Sequence, residues 1–271
     1  TLESRGLGDV YKRQVFLCGN EEIETANENV EKFLISGKYP SGNSSAHIYK
    51  ICPIRKSKKT WTISWQDVIR IGKYISTKSY CFDKYVSVTG SACIEPKLLK
   101  TVSGANLTEL TAGNTNKESR LISGSALYGT SGDSYTNYLT RYSDQVTIIS
   151  DERKANLFNW LKLGEKDHSA TNVFLSSITK PEKFDFDTNV NGGYRAIVPI
   201  GVFDEVNVFD IDPTLFLKSL AIGDLVALRE LGIFDLIPED MSVFSYVCPS
   251  KYDYVALFKD CIDDIWKEEN S

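Results

Sequence analysis

Tyr85-Val86-Ser87-Val88-Thr89-Gly90 sets the architecture, because here the apolar period changes from helical to alternating. Val86 and Val88 fall on one side of an extended chain and Tyr85, Ser87 and Thr89 on the other, the pattern of a half-buried strand. Just upstream, Ser64 with Asp67 reads as a capping box, opening a helix whose Val68, Ile69, Ile71 and Ile75 form one broad apolar face. Downstream, the region Lys100-Thr101-Val102 alternates again, and Asn106 caps a short helical turn from Leu107 to Leu110. Arg120 to Gly124 and Gln145 to Ile149 read as further strands, separated by a turn-rich loop from Gly129 to Tyr138. Two strands, one short helix and two more strands describe a small β-grasp-like module.

Further toward the N-terminus, Val15 to Gly19 reads as a short buried strand. The acidic stretch from Glu21 to Phe33 fits a helix, and Trp61-Thr62-Ile63 the end of a strand. Trp61 and Trp65 are expected to anchor a core. Residues 1–14 resemble neither a signal nor a transit peptide. They read as the translation of a sequencing adaptor, so they are set aside as a scar, and the true N-terminus is expected to lie upstream.

Toward the C-terminus, Ile197 to Ile200 fits a brief strand, and helices follow. Asp212 caps and Pro213 takes the first helical position of one, Gly223-Asp224 separates it from the next, and Gly232 ends that. Pro238-Glu239-Asp240 and Ser250 with Asp253 read as two more helix starts on either side of Cys248. The last helix, from Ser250 to Lys267, presents Tyr254, Phe258, Cys261, Ile262, Ile265 and Trp266 at 3–4 spacing.

Composition narrows the function classes. The chain has 271 residues, 42% of them hydrophobic and 25% charged, as in ordinary globular proteins. A formal charge of -5 gives no footprint for nucleic acid. The six cysteines are scattered with no C-x-x-C pair, a spacing unlike zinc or iron–sulfur ligation. Neither a nucleophile elbow, a zincin helix, a P-loop nor a dinucleotide fingerprint occurs, so no self-contained catalytic site is legible. His47, in the loop with Pro40 and Gly42, is either a proton-handling group or a histidine that fixes its loop. Cys248 reads as a small buried hydrophobe rather than a ligand, His168 as a surface residue, and Asp204, Glu205, Asp210 and Asp212 as a solvated face.

One family carries these landmarks in the same order. Tyr39-Pro40-Ser41-Gly42, His47-Ile48, Trp61 to Lys73, Val88-Thr89-Gly90, Leu110 to Gly113, Arg120 to Gly124, Asp187 to Gly193, Pro238-Glu239-Asp240 and Val247 to Tyr252 together resemble the NqrA family, the A component of the Na+-translocating NADH:quinone oxidoreductase. The resemblance implies a C-terminal fragment in mixed α/β and α+β architecture. Residues 15–82 would end a Rossmann-like domain, 83–150 form a β-grasp (SLBB-like) module, 151–200 connect, and 201–271 form a helical domain.

It also implies a peripheral subunit on the cytoplasmic face of the bacterial inner membrane, without a redox centre of its own. The complex would use NADH, flavins, a 2Fe-2S cluster and ubiquinone through other subunits, including a membrane subunit. A role near ubiquinone would make Pro40, Gly42 and His47 quinone-environment or docking candidates. The C component of the related electron-transport complex holds two four-iron clusters on closely spaced cysteines. Here that half offers only Cys248 and Cys261. The alternative function is a soluble β-grasp ligand-binding module without redox ties.

Overall fold

The structure is a computed structural model. It describes residues 14–22, 24–25, 29–53, 60–115, 118–132, 137–151, 163–165, 167–168, 173–182, 184, 186–190 and 192–271. The stretch read as a scar lies almost wholly outside them.

Two parallel strands begin the described chain, β1 (Val15–Gly19) and β2 (Val30–Leu34), in register from Val15↔Val30 to Gly19↔Leu34. The helix expected through Phe33 is therefore corrected at its end. Val30–Leu34 has a partner strand beside it, and Phe16 meets Phe33 edge-on at 5.7 Å, contacts that outweigh a weak local preference.

Helix α1 (Ser44–Ile51) follows the Tyr39–Asn43 loop, and α2 (Trp65–Thr77) opens on Ser64, whose hydroxyl accepts from the Asp67 amide at 3.2 Å. Trp61 to Ile63 forms no strand, and neither tryptophan anchors a core: Trp61 is 91% and Trp65 60% exposed. The reason is the way α2 docks. Its polar side faces the β-grasp module, where the Gln66 amide pairs with both backbone groups of Tyr85 (2.9 and 2.8 Å) and Arg70 donates to the Asp83 carbonyl at 3.1 Å. Val68, Ile69 and Ile75 are thereby left exposed.

The β-grasp module comprises β3 (Asp83–Thr89), β4 (Lys97–Val102), α3 (Leu107–Leu110), β5 (Ser119–Ser123), β6 (Thr130–Ser131) and β7 (Gln145–Ser150). The sheet order is β4-β3-β7-β5-β6, with β3 and β7 parallel at its centre and the other pairs antiparallel. Part of the turn-rich loop after Gly129 is thus strand β6. Gln66 occupies the backbone groups of β3 at Tyr85, where β7, paired only with Ser87–Thr89, does not reach. Val86, Val88, Leu107, Leu139, Val146 and Ile148 form the core, each burial contributing about 1.5–3 kcal/mol. Lys84 is buried beneath them, with Nζ donating to the Thr140 and Arg141 carbonyls at 3.3 and 2.6 Å and lying 3.4 Å from Asp144.

After α4 (Ser176–Thr179), residues 193–200 run without helix, turn or strand partner, so the strand expected at Ile197 to Ile200 does not form among the described residues. Helices α5 (Pro213–Ile222) and α6 (Leu225–Glu230), a 3₁₀ turn (Ile233–Asp235), α7 (Asp240–Val247) and α8 (Tyr254–Asn270) complete the fold. Asp212, Asp224 and Asp253 cap α5, α6 and α8 through their carboxylates. The last helix therefore starts at Asp253 rather than at Ser250, whose hydroxyl instead donates to the Ala196 carbonyl at 3.0 Å. Phe203, Phe216, Leu220, Phe244, Phe258 and Ile265 form the second core. Among the described residues no helix is long and apolar enough to cross a membrane.

Candidate functional site

The loop carrying Pro40 and Gly42 comes to rest on the start of α7, and His47, expected in that loop, lies instead in α1, which follows it. Pro238 and Glu239 form a turn ahead of that helix, and Asp240 at its first position is fully buried, 0% exposed. One Asp240 oxygen accepts from Asn43 Nδ2 at 2.9 Å and Ser45 Oγ at 2.7 Å, and the other from the Ile237 amide at 3.0 Å. The Tyr39 hydroxyl reaches the Glu239 carbonyl at 3.2 Å and Ser242 Oγ at 2.8 Å. Behind it, the Tyr49 hydroxyl accepts from the Asp210 amide at 3.0 Å, and its ring meets Phe209 edge-on at 5.3 Å. The α/β and helical parts of the chain are joined through this contact.

Desolvation sets the electrostatics. Burial raises the Asp240 carboxyl above its ordinary range although Asn43, Ile237 and Ser45 pull the other way. Burial, and then the Asp240 charge, raise Glu239 likewise. Burial also raises the Tyr39 hydroxyl, against hydrogen bonds from Ser242 and Asn43.

The three candidates differ in setting. Pro40 is buried, Gly42 exposed and His47 half-buried. His47 Nε2 donates to the Ser41 carbonyl at 3.0 Å, a bond that ties α1 back to the loop before it. We expect His47→Ala to lower stability by about 1 kcal/mol, read as a shift in the urea midpoint at constant slope. A loss above about 3 kcal/mol would require contacts beyond this bond.

A second cluster stands at the other end of α7. The Tyr246 hydroxyl lies 2.6 Å from His168 Nδ1, and the imidazole meets Phe184 edge-on at 5.2 Å and Phe186 at 6.0 Å. Burial depresses the His168 pKa and pushes Tyr246 up to about 12. Both shifts favour the neutral forms of the two side chains, which share this hydrogen bond. A cavity of about 310 Å³ opens beside it, lined by His168, Phe174, Ser177, Lys180 and Phe184 among others. Sequence reading placed His168 at the surface, which holds. It missed the aromatic partners, which come from up to 78 residues away.

Cys248 is buried at the end of α7, with Sγ 3.4 Å from the Tyr254 hydroxyl. Burial raises the Tyr254 phenol strongly and also the Cys261 thiol. Among the described residues no group of three His, Cys, Asp or Glu side chains could hold a metal ion. Of the four acidic residues read as a solvated face, Asp212 caps α5.

Comparison with known proteins bears on the whole of this arrangement. The family model described as the NqrA second alpha/beta domain matches residues 5–80, and that described as the NQRA C-terminal domain matches residues 85–133. A relative from Neisseria meningitidis serogroup B, named as the A component of Na(+)-translocating NADH-quinone reductase, is 36% identical over 266 residues, 97% of this chain and 60% of its own. Proteins of the same name from Vibrio campbellii (37% identical) and Saccharophagus degradans (36%) cover 97% of this chain as well. The chain belongs to the NqrA family. It spans about 60% of the length of these relatives. The second NqrA match ends at residue 133, before β7, yet β7 joins β3 to β5 at the centre of the sheet. The module is complete only with residues 145–150.

Proposed function

We propose that this chain serves as a peripheral, non-redox subunit of a sodium-pumping NADH:quinone reductase. The observation that carries the reading is similarity over 97% of the chain to proteins named as the A component of that enzyme. In it, electrons pass from NADH through flavins and a 2Fe-2S cluster to ubiquinone on other subunits. This chain scaffolds the assembly on the cytoplasmic face of the inner membrane, beside a membrane subunit. Its units are residues 15–82, 83–150, 151–200 and 201–271, and the Pro40 and Gly42 loop with His47 contributes a docking or quinone-facing surface.

The test is purification of the assembled complex, separation of this chain from the rest, and assay of each part for iron and flavin. Association with a multi-span membrane subunit, with the redox centres found elsewhere, supports the proposal. Stoichiometric iron or flavin on this chain, or purification without a membrane partner, overturns it. Cys248→Ala supplies an independent check. Loss of a buried thiol should cost about 1–3 kcal/mol of stability and leave quinone reduction by the assembled complex unchanged.

A further inference from the structure

Tyr194-Arg195-Ala196-Ile197-Val198-Pro199-Ile200 is rich in strand-forming residues, yet among the described residues none of its backbone groups pairs with another backbone group. Its one described hydrogen bond is at the Ala196 carbonyl, which accepts from Ser250 Oγ at 3.0 Å, while the Tyr194 ring meets Tyr252 edge-on at 6.1 Å and Ile197 packs on the helical core. Tyr194, Val198 and Ile200 are 85%, 57% and 54% exposed. Alongside runs a groove of about 250 Å³ lined by Arg195, Ile197, Val198, Phe203, Pro249 and Ser250. The stretch is exposed except at half-buried Ile197, and an open, accessible row of N–H and C=O groups is a template for an incoming strand.

We infer that residues 194–200 receive an extended segment of another polypeptide, which adds to them as a β-strand and sets one apolar side chain in the groove. Strand alternation sorts the backbone groups into two rows. The row of Tyr194, Ala196 and Val198 already gives the Ala196 carbonyl to Ser250. The row of Arg195, Ile197 and Pro199 is open, and it offers two N–H donors before Pro199, lacking one, ends the pairing. Main-chain bonds of this kind supply affinity, and alternate side chains supply selectivity. Charge fixes the second feature of the partner. The Arg195 guanidinium has no carboxylate partner among the described residues of a chain with formal charge -5, so the guest segment carries an acidic residue opposite it.

The test uses the full chain and a capped heptapeptide of alternating threonine and valine, with one central phenylalanine and one aspartate. Amide hydrogen exchange at Arg195 and Ile197 should slow about tenfold or more on saturation, with no comparable change in the β-grasp sheet. Arg195→Glu should weaken binding of this peptide and strengthen binding of its lysine-for-aspartate counterpart. Absence of binding, or equal protection by a peptide N-methylated along its pairing edge, overturns strand addition. Protection that grows with the concentration of the chain alone names a second copy as the occupant and also overturns the proposal.

Discussion

Replacing Asp240 by Ala should lower the stability of the chain by about 3–5 kcal/mol, the range for removing one partner of a buried, charge-assisted network. Asn43 Nδ2, Ser45 Oγ and the Ile237 amide would all lose their acceptor, and Asn43 and Ser45 are themselves buried. Water cannot replace the carboxylate without entering the joint between α7 and the Tyr39–Ser45 loop. We expect the urea midpoint to fall and exchange protection of residues 39–46 to fall with it. Asp240→Asn keeps one accepting oxygen but turns an amide N–H toward a donor, so it should cost less than Ala and more than about 1 kcal/mol. If Asp240→Ala proves neutral, the loop is held by Tyr39 and Tyr49 instead.

The same carboxyl gives the pH dependence a sign. Its folded pKa lies above its unfolded value, as does that of Glu239. The folded state therefore binds the proton more tightly, and the stability this supplies is fully present below the unfolded pKa and lost as pH rises through the folded one. His168 has the opposite sense, since its folded pKa is depressed. Its contribution holds above the unfolded histidine pKa and is lost as pH falls through the folded value. Comparing wild type with Asp240→Asn cancels His168. The penalty for Asn should be larger at about pH 4.5 than at about pH 7.5, and urea midpoints at the two conditions decide it. A penalty that grows with pH would mean that the three donors overcome desolvation.

What could be read in advance divides by distance along the chain. Asn106 and Asp212 were legible as caps because each side-chain oxygen meets a backbone N–H two or three residues on. The alternation around Val86 and Val88 gave the β-grasp core for a similar reason, since a two-residue period belongs to one strand. Reading fails where a distant partner decides. Val30–Leu34 is a strand because Val15–Gly19 lies beside it, and Ser250 leaves its expected cap for a carbonyl 54 residues away. Asp240 looked like a charge favouring a helix dipole, and its actual partners lie 195 and 197 residues off. The tryptophans were misread because apolar periodicity locates a face of α2 without saying which side docks. Here Gln66 and Arg70 claim the docking side. His47 illustrates the middle ground, because both open readings rested on its loop and the Ser41 carbonyl favours loop fixation.

Gly90→Ala should be the most damaging single substitution in the β-grasp module, costing about 4 kcal/mol or more. In the sequence Gly90 marks only the end of a strand, but two independent constraints meet there. Its φ of 132° belongs to a region that L side chains rarely adopt. A Cβ would also overlap the Ile148 backbone oxygen, nitrogen and carbonyl carbon, and backbone cannot step aside as a flexible side chain can. The obstructed strand is β7, whose Ile148 carbonyl accepts from the Ala92 amide at 3.1 Å. Displacing it would strain the pairing to both β3 and β5. Gly104→Ala separates the two constraints, because φ is also positive there, at 82°, while nothing lies within 4 Å of the added carbon. That variant should lose about 1 kcal/mol and keep the sheet. Circular dichroism and urea unfolding of both variants test the difference. Equal losses would place the effect in backbone conformation alone, and a much larger loss at Gly90 identifies the approach of β7 as the reason a side chain is excluded.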